Sequence, residues 1–88
     1  MRYTVEFTTS AAREFRALDR QLQRRVSAKI ADLVEDPIPL GARKFQGADD
    51  HWRIRVGDYR VIYRIERQRV VIVIVRIGHR REVYRQGL

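Results

Sequence analysis

The hydrophobic residues of this chain follow two different periods, and the change from one to the other fixes the class of fold. Ala11, Phe15, Leu18, Leu22, Val26, Ile30 and Leu33 recur every three or four positions with charged residues between them, the stripe of an amphipathic helix. Trp52, Ile54 and Val56, then Tyr59, Val61, Tyr63 and Ile65, recur every second position, as in strands with one buried face. Tyr3, Val5 and Phe7 alternate in the same way, so residues 2–7 predict a short first strand. From Val70 to Ile77 only Arg76 is polar, which predicts a central strand covered wholly or partly on both faces.

Turn and cap residues divide these segments. Thr9 or Ser10 is expected to cap the first helix, and Pro37 and Pro39 stop the helical pattern after Asp36. The stretch Leu18-Asp19-Arg20-Gln21 suits a break into a helical hairpin with Asp19 as the second cap, and two helices fit the stripe as well as one. Residues 38–50, with Gly41 and Gly47 and no periodicity, predict a loop, in which Asp49-Asp50 is expected as a solvated turn. Gly57-Asp58 and Glu66 to Arg69 turn the chain, and Gly78 ends the last strand. The expected architecture is α+β: one domain over residues 1–88, with an N-terminal helical hairpin on a mainly antiparallel four-stranded sheet. Its last three strands form a meander, and the first strand joins an edge. A core built from 88 residues is marginal, and a bound partner would stabilise it.

Composition narrows the chemistry. The chain lacks cysteine, which removes disulfides and thiolate metal sites. The N-terminus lacks the long apolar run of a secretory signal, and no apolar run could span a bilayer, so a cytoplasmic location with no membrane partner is expected. The formal net charge is +8, a balance that favours polyanions or an acidic protein as partners. The excess is local: residues 51–88 hold ten arginines and three acids, and no lysine. Arginine's planar fork suits bidentate contact with phosphate and stacking on bases.

Strand phase gathers those arginines. If Trp52, Ile54, Val56, Tyr59, Val61, Tyr63 and Ile65 face the helices, then Arg53, Arg55, Arg60 and Arg64 share the other face. The tail after Gly78 can bring Arg80 and Tyr84 to its edge. Such a face is a phosphate site first. RNA cleavage by attack of the ribose 2′-hydroxyl needs in-line geometry, a base, an acid, and positive charge for the phosphorane. No cluster of Asp, Glu and His has metal-ligand spacing, and no cofactor motif is present, so no metal and no cofactor are expected. Arginine stays protonated. His79, which titrates near neutrality when unperturbed, is therefore a candidate acid or base. Tyr84 could donate a proton or stack on a base, while Glu82 better suits pairing with Arg80 or Arg81.

The segment Trp52-Arg53-Ile54-Arg55-Val56-Gly57-Asp58-Tyr59-Arg60-Val61-Ile62-Tyr63 combines with Gly78-His79-Arg80-Arg81-Glu82-Val83-Tyr84 and with Tyr3-Thr4-Val5-Glu6-Phe7. In that combination the whole chain resembles the RelE branch of the RelE/ParE toxin superfamily. The resemblance implies a type II toxin and mRNA interferase, an endoribonuclease that enters the ribosomal A site and cleaves the codon there by metal-independent 2′-hydroxyl attack. It implies catalytic roles for Arg55, Arg60, Arg80, Tyr84 and His79, and message contacts by Arg53, Arg64 and Arg81. Arg60 would brace the scissile phosphate, Arg80 stabilise the transition state, and Tyr84 orient a base. The best-known relatives carry lysine at the positions of Arg53 and Arg55, so the base role moves to His79, Glu82 or Tyr84, or is shared with ribosome and solvent. Implied partners are a cognate antitoxin, the ribosome with its mRNA, and operator DNA reached only through the antitoxin. The alternatives are a ParE-like toxin that inhibits DNA gyrase by protein binding, and a non-catalytic RNA-binding relative.

Overall fold

A computed structural model describes residues 2–45 and 49–79. The order of elements is β1 (Thr4–Phe7), α1 (Thr9–Ala17), α2 (Arg20–Glu35), β2 (Arg43–Lys44), β3 (His51–Val56), β4 (Tyr59–Glu66) and β5 (Val71–His79). The strands form one sheet in the order β1-β5-β4-β3-β2, with β1 parallel to β5 and all other pairs antiparallel. The α+β class, helical hairpin, meander and edge position of the first strand all follow the sequence. The sheet has five strands where four were expected. The additional one, β2, is only Arg43 and Lys44, too short to show a period, and it pairs with Arg53 and Trp52.

Short-range hydrogen bonds set the helix ends. The α1 cap is Thr8, not Thr9 or Ser10: its Oγ1 accepts from the Ala11 amide at 3.1 Å and donates to the Val75 carbonyl at 2.9 Å. Only Thr8, directly after β1, can serve helix and β5 together. Asp19 caps α2 as expected, with Oδ1 accepting from the Leu22 amide at 2.8 Å. The Gln23 side-chain amide donates to the Phe15 carbonyl at 3.0 Å and closes the hairpin. Among the described residues no helix is long and apolar enough to cross a membrane.

The helices bury their stripe on one face of the sheet. Ala11, Val26, Ile30 and Leu33 meet Ile54, Val56, Val61, Tyr63, Ile65, Ile72, Ile74 and Ile77, each large aliphatic contributing about 1.5–3 kcal/mol by burial. Tyr63 is fully buried, and its hydroxyl donates to the Pro37 carbonyl at 2.6 Å. Burial, with Asp36 adding to it, pushes that phenol well above its ordinary value. β5 is buried on both faces, Ile72 and Ile74 towards the helices and Val71 and Val73 away from them.

An irregularity in β5 resets its phase. Tyr63 stands opposite Ile74, but Ile62 stands opposite Arg76, leaving Val75 without a partner on β4. Beyond it Ile77 joins the helix-side core next to Val61. β1 ends opposite Ile74, and the exposed edge that would follow is occupied by α1. Glu14 accepts from the Ile77 amide at 2.8 Å and pairs with Arg76 at 2.8 Å, which protects the edge from pairing with another chain.

Candidate nucleic-acid interface

The β3–β4 hairpin carries the site, and its turn determines the site's phase. Val56 pairs with Tyr59, so the loop is Gly57-Asp58 alone, and Gly57 has φ +60°. A positive φ at the first central position is what a type II′ hairpin turn requires, and glycine adopts it without strain. This register sets Arg55 directly opposite Arg60 and Arg53 opposite Ile62. On the outer side Arg43 of β2 stands opposite Arg53, and on the inner side Gly78 of β5 stands opposite Arg60.

The result is a groove of about 250 Å³ lined by Gly41, Arg43, Arg53, Ile54, Arg55 and Arg60. Among the described residues it is lined by four guanidiniums and no carboxylate. Like charges directly opposite across strands cost stability, and a bound anion would reverse the sign of that term. Arg60 is half-buried, and its Nη1 is fully buried without a hydrogen-bond partner. A buried, unsatisfied donor on a cation is costly, and a phosphate oxygen is a matching acceptor. Gly78 places no side chain beside it. Arg55 is oriented by its own turn, its Nε donating to the Gly57 carbonyl at 2.9 Å.

The other expected site residues divide into three groups. Arg64 lies on the same face but is occupied: its guanidinium binds Glu66, which also pairs with Arg69 at 2.6 Å, and Arg69 reaches Glu6 at 2.7 Å. Hydrogen bonds from Arg64 first, then Arg69, hold the Glu66 carboxyl below its ordinary value. His79 stands opposite Tyr59, with ring centroids 5.7 Å apart in an edge-to-face contact. Tyr59 shares the phase of Val61 and Tyr63, so His79 belongs to the face opposite Arg60. Arg80, Arg81 and Tyr84, with Glu82, lie outside the described residues.

The model of the ParE toxin family of type II toxin–antitoxin systems, parDE, matches residues 5–84. The chain belongs to the RelE/ParE toxin superfamily. It is 36% identical over 87 residues to toxin RelG of Mycobacterium tuberculosis, covering 98% of this chain and 100% of that protein. It is 27% identical over 92 residues to the mRNA interferase toxin RelE of Escherichia coli, covering 100% and 96%. The toxin's fold superposes on a crystal structure of the intact E. coli RelBE toxin–antitoxin complex with a TM-score of 0.80 at 25% identity, covering 88% of this chain and 95% of that one. The chain is thus a RelE-like toxin.

Two residues of this toxin have partners that the sequence pattern does not reveal. Arg43 falls in the stretch that predicts a loop, yet it pairs opposite Arg53 and completes the groove; the sequence shows its charge but not its strand partner. Asp50 was expected in a solvated turn. Asp49 and Asp50 do form a turn, with φ 51° at Asp50 and Asp49 exposed, but the Asp50 carboxylate is engaged: it accepts from Arg67 at 2.8 and 3.1 Å and from the Trp52 indole at 3.3 Å. The Arg67 hydrogen bond leads in holding that carboxyl below its ordinary value.

Proposed function

We propose that this toxin is a ribosome-dependent endoribonuclease, an mRNA interferase that cleaves the codon in the A site by metal-independent 2′-hydroxyl attack. The observation that carries this reading is the four-arginine groove with the unpartnered, buried Arg60 Nη1. In the step, a bond forms between the 2′-oxygen and phosphorus, and the bond from phosphorus to the 5′-oxygen breaks. The 2′-hydroxyl gives up a proton and the leaving oxygen receives one. Arg60 binds the non-bridging oxygens, whose charge grows in the phosphorane. Preorganised cationic donors there stabilise the transition state more than the ground state. Arg53 and Arg55 hold the message and lower the cost of charge on the 2′-oxygen. Arg80 joins the stabilising set, Arg81 contacts the backbone, and Tyr84 orients a base.

Permanently charged arginines cannot take the proton. That task falls to a group at or after the end of β5, among His79, Glu82 and Tyr84. His79, on the helix-side face by phase, acts only if its ring reaches round the strand end. A pH–rate profile that His79→Ala leaves unchanged removes it. The relatives' RelBE complexes support a cognate antitoxin, whose wrapping segment we expect to be acid-rich so as to mask the arginines; operator contact then belongs to the antitoxin. The test is induced expression with and without antitoxin, followed by mapping of 5′ ends. Cuts confined to translated frames are expected. Growth arrest with intact message and gyrase-dependent DNA breaks would overturn the reading in favour of a gyrase inhibitor.

A further inference from the structure

The arginine groove does not end at the sheet. Arg55 also borders two hollows on the other side of the β3 edge, against α2. One, of about 170 Å³, is lined by Lys29, Asp32, Pro39, Leu40, Gly41, Ile54 and Arg55. The other, of about 430 Å³, is lined by Arg25, Ala28, Lys29, Asp32, Arg55 and Val56. β2 covers the edge of β3 only at Trp52 and Arg53, so among the described residues no strand separates the groove from these hollows beyond that point. We infer that α2 extends the phosphate track: Lys29 and Arg25 bind backbone phosphates of the same single-stranded RNA, outside the codon held by Arg43, Arg53, Arg55 and Arg60. This rests on the reading of the groove as an RNA site.

Three further observations support the track. Arg25 and Lys29 are four residues apart and so share one helical face. Both are exposed, and among the described residues neither makes an ion pair. The Arg25 guanidinium lies over the hairpin turn, its nitrogens 3.5 Å from where a side chain on Gly57 would begin, which places it next to the turn that orients Arg55. Finally, α2 carries Arg20, Arg24 and Arg25 in its N-terminal half and no acid in its first turn. That concentration of positive charge suits a polyanionic ligand. Leu40, fully exposed beside Lys29, offers apolar contact to a ribose or base. Among the described residues Asp32 is the one carboxylate lining the two hollows, against six cations along the whole track. Continuity through Arg55 with the scissile-phosphate groove favours RNA over an acidic peptide as occupant.

The test uses the full chain and two RNAs blocked at the cleavage position by 2′-deoxy substitution: a trinucleotide, and a longer strand centred on it. Arg25→Ala/Lys29→Ala is expected to fold, since both sites are exposed and alanine favours helix. Its affinity for the trinucleotide should stay unchanged. For the longer strand the log-affinity against log-salt slope should become shallower by about 1.4, two contacts at about 0.7 each. Arg13→Ala/Arg16→Ala on α1 removes the same charge elsewhere and should leave that slope unchanged. An unchanged slope in the α2 variant, an equal change in the α1 control, no binding of either RNA by the wild type, or loss confined to antitoxin binding would each overturn the track. Cleavage on programmed ribosomes, scored with the same preparations, separates the two failures. Wild-type cuts with an unchanged slope sink the track alone, whereas absence of cuts sinks the nuclease reading.

Discussion

The two ends of the sheet's open face use the same residue in opposite ways. At the hairpin end, Arg43, Arg53, Arg55 and Arg60 converge on a groove that, among the described residues, no carboxylate lines, and one buried nitrogen of Arg60 has no hydrogen-bond partner there. At the other end Arg64 and Arg69 share Glu66, Arg69 also holds Glu6, and Arg67 holds Asp50. The second set ties β1, β4 and the turns together and arrives already neutralised. The first set is charged and crowded, with Arg55 directly opposite Arg60, a cost in stability that a bound anion at Arg60 would offset. Arginine content therefore says little; what separates a binding surface from a strut is whether acids stand within reach of the guanidinium.

Substitution should split the two ends by sign. Arg60→Ala should lower single-turnover cleavage on programmed ribosomes by about 100- to 1,000-fold, the usual effect of deleting one transition-state donor, while Tm holds or rises as repulsion with Arg55 is relieved. A large fall in Tm would make Arg60 a strut. Arg43→Ala should act on binding alone: KM rises several-fold, kcat is kept, and the salt slope becomes shallower by about 0.7. An unaltered slope would remove β2 from the site. Arg64→Ala should show the reverse signature, with cleavage close to wild type and a small fall in Tm from loss of the solvent-screened pair with Glu66. If it instead abolished cleavage with Tm intact, the division drawn here would fail.

The smallest effect concerns acid. Because the folded carboxyl of Asp50 titrates below its unfolded value, the stability it contributes is present above about pH 3.9 and is lost as pH falls through the lower folded value. Trp52 is the chain's only tryptophan, and its indole donates to Asp50. Its fluorescence should therefore change within that acid window, and Asp50→Asn should abolish the change.

Much of this was legible beforehand, for identifiable reasons. Helices and meander follow from period, and Asp19 follows from its place at the break in the stripe. The convergence of Arg53, Arg55 and Arg60 follows from alternation combined with a two-residue Gly-Asp turn, which fixes register. What was missed lay where those signals vanish. Three consecutive hydroxyl residues, Thr8, Thr9 and Ser10, are equivalent as caps until the tie to Val75 selects one. A two-residue strand has no period, so Arg43 went unrecognised. The face of His79 depends on an unpaired residue inside Val70 to Ile77, a run too uniformly apolar to reveal one.

That unpaired residue, Val75, has a consequence for the chemistry. Continuing the pairing of Tyr63 with Ile74 without interruption would bring Ile77 level with Arg60. The extra residue moves the frame by one and delivers a glycine there instead. A single strand thus satisfies two incompatible specifications, a greasy spine for one half of its length and a vacant berth for an anion in the other. Drawing Val75 into the ladder would fill that berth with the branched hydrocarbon of Ile77, whereas excising Val75 would close the bulge and leave Gly78 opposite Arg60.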